Sequence, residues 1–223
     1  MSLEINALSK HFFQGETKID VLHDLNVLVK SAEIVAILGQ SGSGKSTLLS
    51  LIAGLEKPNS GKIIIDDVNI VPLSERQVTQ FRANSLSLVF QQYHLISHLT
   101  AIENVSLPLE ILRTSDAELR AEALLKDLGL GHRLHHFPNQ LSGGECQRVA
   151  IARALVTNPK VLLADEPSGN LDIDTGEKVM ETFLNLVRKH KTTTVIVTHN
   201  ENLARKCQRS FRLKAGQLIE INW

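Results

Sequence analysis

The stretch GQSGSGKST, Gly39 to Thr47, limits what this chain can fold into more than any other. It follows IVAIL, Ile34 to Leu38, a run with no polar residue. A short run that is apolar on every side suits a strand buried on both faces of a parallel sheet. The glycines at 39, 42 and 44 carry no Cβ, so successive backbone N–H groups can turn towards one anion. Leucines follow from residue 48, and a helix beginning near Lys45 would add its positive dipole end and its unpaired N–H groups. The spacing Gly39-x-x-x-x-Gly44-Lys45-Ser46 is the Walker A pattern of a phosphate loop. On this reading Gly39, Gln40, Ser41, Gly42, Ser43 and Gly44 form the cradle. Lys45 neutralises the β- and γ-phosphates, Ser46 offers its hydroxyl to Mg²⁺, and Thr47 serves the α-phosphate end. Kinases, GTPases, motors and transporters all use such a loop, so the remaining residues must choose among them.

Strand and helix signals alternate around it. Residues 2–7 and 21–29 alternate with period two, as half-exposed strands do, and QGETK between them reads as a hairpin-like turn. KIIID at 62–66 and SLSLVF at 85–90 read as strands, and so do VLLA at 161–164 and TTTVIVT at 192–198. From Ala101 to Ala154 apolar residues recur three and four apart in ENVSLPLEIL, DAELRAEALLKDLGL and GECQRVAIARAL, which is helical spacing. GEKVMETFLNLVRKH is a further helix, and the tail reads as two short strands around Ala215-Gly216. The plan is α/β: a phosphate-loop NTPase core with a mostly parallel sheet, an antiparallel N-terminal β subdomain and an inserted helical subdomain. Residues 1–223 read as a single unit, about 1–90 and 158–223 forming the core and about 91–157 the insert.

Composition narrows the class. Apolar residues make up 43% of 223, enough for a real core, and Lys plus Arg equals Asp plus Glu at 24 each. A neutral balance argues against nucleic acid held by bulk charge. The apolar runs fall far short of the roughly 20 residues of a membrane span, and MSLEINALSK does not read as a signal peptide. Two cysteines, Cys146 and Cys207, fit a reducing compartment better than a disulfide framework.

Other residues fall where such a loop needs them. VLLA runs into Asp165 and Glu166, and carboxylates at a strand's C-terminal end face the crevice where α/β sheets bind ligands. Asp165 is placed to hold Mg²⁺, and Glu166 to orient and deprotonate an attacking water. His199 ends TTTVIVT and can donate to a γ-phosphate. The other eight histidines lack ligand spacing and read as surface residues. Gln91 follows SLSLVF with an amide long enough to reach the metal or the water; Gln92 would then be the polar residue that opens the loop. LSGGE, Leu141 to Glu145, makes a second small anion cradle before an apolar helix, this time without a lysine. Two incomplete half-sites on one chain suggest two chains meeting head to tail with a nucleotide between them.

At this point the sequence resembles the nucleotide-binding subunits of ABC transporters over nearly its full length. GQSGSGKST resembles Walker A, VFQQ the Q-loop, LSGGECQRVAIARAL the signature helix, VLLADEP Walker B, SGNLD the D-loop and VTHN the switch histidine. The resemblance implies ATP and Mg²⁺ as ligands, hydrolysis of ATP to ADP and phosphate coupled to transport, and a second copy as partner. Ser142, Gly143, Gly144 and Glu145 would touch the γ-phosphate of ATP held by the other copy. Asp172 would couple the two sites, and Phe12 would stack on adenine; Phe12 or Phe13 could equally be core. It further implies a separate integral-membrane permease, seated on the helical insert and on Gln92 to His98, with the subunit peripheral on the cytoplasmic face of the inner membrane. ADEPSGNLD, QQYHLISHLTAIENVSLPLEI and the short C-terminus resemble the lipoprotein-release, macrolide-export and cell-division branch. Two departures stand out: Cys146, offering a thiol near the interface, and Ser31-Ala32-Glu33 in place of a glycine-containing turn. A soluble ABC-type ATPase of translation or DNA repair is the rival, but the chain has one cassette, no heptads and no basic stripe. A small-molecule kinase would have no use for LSGGE.

Overall fold

The computed structural model describes residues 2–223. Strands β1 (Leu3–Gln14) and β2 (Thr17–Val29) form a hairpin, and β3 (Ile34–Leu38) leads into α1 (Lys45–Ile52). There follow β4 (Ser60–Ile65), β5 (Val68–Asn69), α2 (Glu75–Ser85) and β6 (Leu86–Val89). Helices α3 (Ala101–Ile111), α4 (Ala117–Asp127) and α5 (Gly143–Leu155) come next, with a 3₁₀ turn at Pro138–Gln140. The chain ends with β7 (Val161–Asp165), α6 (Ile173–His190), β8 (Thr193–Thr198), α7 (Glu201–Arg205), β9 (Arg209–Lys214) and β10 (Gln217–Ile221).

Two sheets organise these elements. An antiparallel sheet has the order β2-β1-β4-β5, and a mixed sheet has the order β10-β9-β3-β8-β7-β6. Every pairing from β9 to β6 in the second sheet is parallel, and only the β9–β10 hairpin is antiparallel. Its central strands are buried throughout: every residue of β3 and β8 is buried, and β7 is buried up to Ala164. A continuous apolar run makes sense only where both faces are covered. One core lies under α3 to α6 around Phe183, Val149 and Ile151. The other joins the two sheets to α1 through Leu48, Leu51, Ile37 and Ile63.

The α/β plan and the mostly parallel sheet match the expectation, but some local boundaries differ. β1 does not stop near residue 7 but runs to Gln14, because its pairing with β2 shifts register between Ile5 and His11, with Ala7 at φ 49°. A bulge puts two residues opposite one, which hides the strand's period. The turn is correspondingly tight, with Gln14 pairing Thr17. α2 gave no sequence signal because it buries only Val78, so its apolar period is missing. Phe12 and Phe13 are both exposed, which removes their reading as core. Ala32 adopts φ 61°, a left-handed turn where glycine is the unstrained choice, and its N–H is tied to Thr193 Oγ1 at 2.9 Å.

Candidate functional site

The strand order puts four C-terminal ends side by side. In the order β3-β8-β7-β6, Leu38 leads into the glycine loop, Thr198 into His199, Asp165 into Glu166, and Val89 soon into Gln91. A cleft of about 550 Å³ opens there, lined by residues of all four connections together with Val21. Ser41, Gly42, Gly44, Lys45, Ser46, Thr47, Gln91, Asp165, Glu166 and His199 share this one cleft, although up to 158 positions separate them. Gly39, Gln40 and Ser43 line the adjoining hollow behind His199, beside Arg212 and Leu213.

The loop is shaped by Gly44. It caps α1 at φ 98°, and a Cβ there would lie 2.9 Å from Val21 Cγ1, so no other residue fits without displacement. The first intrahelical bond of α1 is Leu48 N to Gly44 O, which leaves the N–H groups of Lys45, Ser46 and Thr47 without helical acceptors. No side chain caps this end. Lys45 is buried and donates to Gly39 O at 2.7 Å and Gln40 O at 3.0 Å, so its ammonium sits folded over the loop it serves. The result is a concentrated field of donors that an anion can satisfy.

The acidic side is built differently. Ser46 Oγ donates to Asp165 Oδ2 at 3.1 Å. Burial pushes the Asp165 carboxyl up from its ordinary value; the Ser46 bond lowers it, Glu166 raises it further and Lys45 lowers it. A half-buried carboxylate whose direct partner is a neutral hydroxyl gains from a cation beside it. Ser46, Asp165 and Gln91 line the cleft and each carries a side-chain oxygen, the donor type that hard Mg²⁺ takes together with phosphates and waters. The residues present therefore fit Mg²⁺. Among the described residues no cluster of His, Cys, Asp and Glu forms a self-sufficient metal cage.

Glu166 has φ 43°, an uncommon left-handed conformation for a residue of this kind. Its N–H is held by Val197 O at 2.9 Å, so the chain turns sharply at the end of β7. The carboxylate accepts from Thr198 Oγ1 at 3.1 Å and from His199 N at 3.3 Å, and lies 3.0 Å from His199 Nδ1. A carboxylate can only accept, so Nδ1 carries the proton and Nε2 points away from Glu166 as the free nitrogen. Nε2 donates only when the ring is doubly protonated.

The second glycine turn lies elsewhere. None of Ser142, Gly143, Gly144 or Glu145 lines the cleft. Ser142 caps α5 in a full capping box: its Oγ accepts from Glu145 N at 3.3 Å, and the Glu145 carboxylate accepts from Ser142 N at 2.8 Å. Glu145 is gripped further by Arg133 Nε at 2.9 Å. The Ser142 N–H first, then the Ser142 hydroxyl and Arg133, hold its carboxyl down at about 2 against partial desolvation. Ser142 and Gly143 remain exposed. Cys146 corrects the expected interface thiol: it is 6% exposed, its Sγ lies 3.5 Å from Pro138 O, and burial pushes its thiol up, away from the reactive thiolate. Asp172 caps α6 by accepting from Thr175 N at 3.0 Å. Phe12 does not line the cleft; it lies on β1 opposite Ile19, with Lys10 Nζ 4.7 Å from its ring centroid.

Sequence reasoning missed Val21, Thr198 and Asn170. Val21 sits in a strand with nothing local to mark it, and Thr198 is one of several threonines in β8. Asn170 Oδ1 accepts from Gln91 Nε2 at 3.1 Å; only its place in the quoted SGNLD could have drawn attention.

The family model described as ABC transporter matches residues 22–169. The lipoprotein-releasing system ATP-binding protein LolD of Geobacter metallireducens is 48% identical over 219 residues, covering 97% of each chain. The ABC transporter ATP-binding protein YbbA of Escherichia coli (strain K12) is 46% identical over 220 residues, covering 98% of this chain and 96% of its own. Among solved structures, the ATP-binding cassette MJ0796, described as dimeric in a post-hydrolysis state bound to ADP and Pi, superposes with a TM-score of 0.88 at 41% identity, covering 99% of this chain and 98% of that one.

Proposed function

The chain belongs to the ABC transporter family, as an ATP-binding subunit with ATPase activity, and from that premise we propose that it works in pairs to drive a permease of the lipoprotein-release type. One observation carries the pairing: the lysine-bearing cradle and the Glu166–His199 pair share a cleft, while the exposed Ser142–Gly143 turn lies outside it. A second copy placed head to tail brings its own Ser142, Gly143, Gly144 and Glu145 turn to the γ-phosphate held by the first. Support comes from the MJ0796 cassette, whose structure is dimeric.

In this reading Gly39 to Gly44 wrap the phosphates with backbone N–H groups, Lys45 moves from its backbone oxygens onto the β- and γ-phosphates, and Thr47 binds at the α-phosphate end. Val21 offers an apolar contact in the cleft, and Phe12, outside it and under Lys10 Nζ, stacks on adenine only after its ring turns inward. Ser46, Gln91 and Asp165 would hold Mg²⁺, which supplies charge neutralisation at the phosphate oxygens. Glu166 aligns a water with the γ-phosphorus and accepts its proton, steadied by Thr198 and His199. His199 donates to the γ-phosphate through Nε2 once that nitrogen also carries a proton, and Asp172, the cap of α6, transmits closure between the copies. Closure follows ATP because ATP contacts both copies and ADP lacks the bridging phosphate.

No helix among the described residues is long and apolar enough to cross a membrane. We place the subunit on the cytoplasmic face of the inner membrane, held by a separate permease on α3 to α5 and Gln92 to His98, with lipoprotein as cargo. The relatives named as lipoprotein-releasing system ATP-binding proteins support the lipoprotein assignment. Glu166→Gln tests the pairing: with ATP saturating, it lowers turnover by about 10²- to 10⁴-fold and accumulates a dimer visible by light scattering. A variant that binds ATP yet stays monomeric overturns the paired mechanism.

A further inference from the structure

The amide of Gln91 is not free to turn, and the group that holds it is Asn170. Asn170 Nδ2 donates to the main-chain oxygen of Gln91 at 3.0 Å. A carbonyl can only accept, so this bond fixes which end of the Asn170 amide is nitrogen, and Oδ1 is left for its other partner. Oδ1 can only accept in turn, so Gln91 must present Nε2, which it does at 3.1 Å. The orientation of one amide therefore dictates that of the other, starting from a backbone atom that has no alternative role. Among the described residues no side chain or backbone group bonds Gln91 Oε1, the atom of that side chain able to ligate a hard cation.

The surroundings serve the same arrangement. Gln91 lies across Gly169, where an added Cβ would stand 2.8 Å from Nε2 and 3.1 Å from Cδ, so a side chain at 169 would push the amide aside. Gly169 N donates to Glu166 O at 2.9 Å, which joins this contact to the left-handed turn that carries Glu166. Residues 79 positions apart thus tie the segment after β6 to the turn after β7, at the mouth of the cleft.

We infer that Asn170 is a positioning residue for the metal site: by binding Gln91 Nε2 it keeps Gln91 Oε1 aimed as a ligand and prevents the flip that would turn N–H donors on the cation. The inference rests on the reading of Gln91 as a ligand of the nucleotide-bound metal. Its absence leaves an amide that must be ordered on every binding event and that adopts the repulsive orientation for part of the time.

The test is Mn²⁺ binding to the full chain with the non-hydrolysable analogue AMP-PNP, followed by electron paramagnetic resonance, with analogue affinity in EDTA as the metal-free control. Asn170→Ala and Asn170→Leu weaken Mn²⁺ about tenfold, the lower end of what partners of metal ligands contribute, and leave binding in EDTA unchanged. Asn170→Asp keeps an acceptor for Nε2 while its second oxygen meets the Gln91 carbonyl with no proton between them, and it weakens Mn²⁺ about threefold, less than Asn170→Ala does. Gln91→Ala weakens Mn²⁺ by itself, and adding Asn170→Ala to it causes no further loss. Normal Mn²⁺ binding by both Asn170→Ala and Asn170→Leu, beside a weakened Gln91→Ala, overturns the role of Asn170 alone. So does a loss that persists without Gln91, or an equal loss in EDTA. Normal binding by Gln91→Ala brings down the ligand reading and this inference together.

Discussion

The molecule carries two glycine turns at helix N-termini, and they are finished in opposite ways. At α1 the cap is Gly44 in a left-handed conformation, no side chain bonds to the free N–H groups, and the nearest cation is folded back on the loop's own carbonyls. At α5 the cap is Ser142, the capping box is closed, and Arg133 is spent on Glu145, while Arg148 Nη1 lies 3.8 Å from where a Gly144 Cβ would stand. The first turn lines a cleft and the second lies outside it. An end with unmet donors is poised for a multiply charged ligand and is stabilised when one arrives. An end that caps itself is already rigid and keeps only the N–H groups of its first two residues to offer. The difference suits a main binding site on one copy and a preformed lid for its partner.

Three substitutions test that contrast, from the largest expected effect to the smallest. Lys45→Ala removes the cation of the unfinished turn and should weaken ATP binding at least about a hundredfold, two charged bonds at about 1.5 kcal/mol or more each. Calorimetric titration checks it, and parent-like affinity would erase the distinction between the turns. Ser142→Ala should leave ATP binding by the single subunit intact while lowering turnover about tenfold, the weight of one bond to a charged oxygen. It should also cost about 1 kcal/mol of stability through the lost cap. Steady-state assays beside urea unfolding separate the two effects, and a fall in single-subunit affinity would mean that the second turn serves its own nucleotide.

Glu145→Gln sharpens the comparison by reading the rigidity of the second turn through the stability of the single subunit. The folded carboxyl sits at about 2, against an ordinary 4.5, so its contribution is present above about 4.5 and is lost as pH falls through about 2. The variant should be less stable by about 0.5–1.5 kcal/mol near neutral pH, and the gap should close as the medium is acidified below pH 4.5. Urea midpoints measured across that range decide it; a gap independent of pH would assign the loss to packing.

Much of the chemistry was legible because it is local. IVAIL, VLLA and TTTVIVT are short and apolar on all sides, and each became a buried parallel strand. The glycine spacing before Lys45 and the Ser142-Gly143-Gly144 turn before an apolar helix depend on neighbours within a few positions. Other features were hidden for equally physical reasons. α2 buries a single residue and so has no period to read. The bulges of β1 break its alternation. Cys146 could point outward or inward from a helix start, and only the packing of Pro138 and Leu141 around it turned it inward.

What the sequence determined by itself is which groups are available: glycines that let the backbone close on an anion, one lysine, and carboxylates, an amide and an imidazole each just beyond an apolar run. What the tertiary structure alone decided is that these groups meet. The order β3-β8-β7-β6 differs from the order of the strands along the chain, and it brings Ser46 within 3.1 Å of Asp165 across 119 positions. Local periodicity carries no record of which strand lies beside which, because that choice belongs to the burial of whole faces. The same holds for Gln91, whose usable oxygen is selected by an asparagine in another loop.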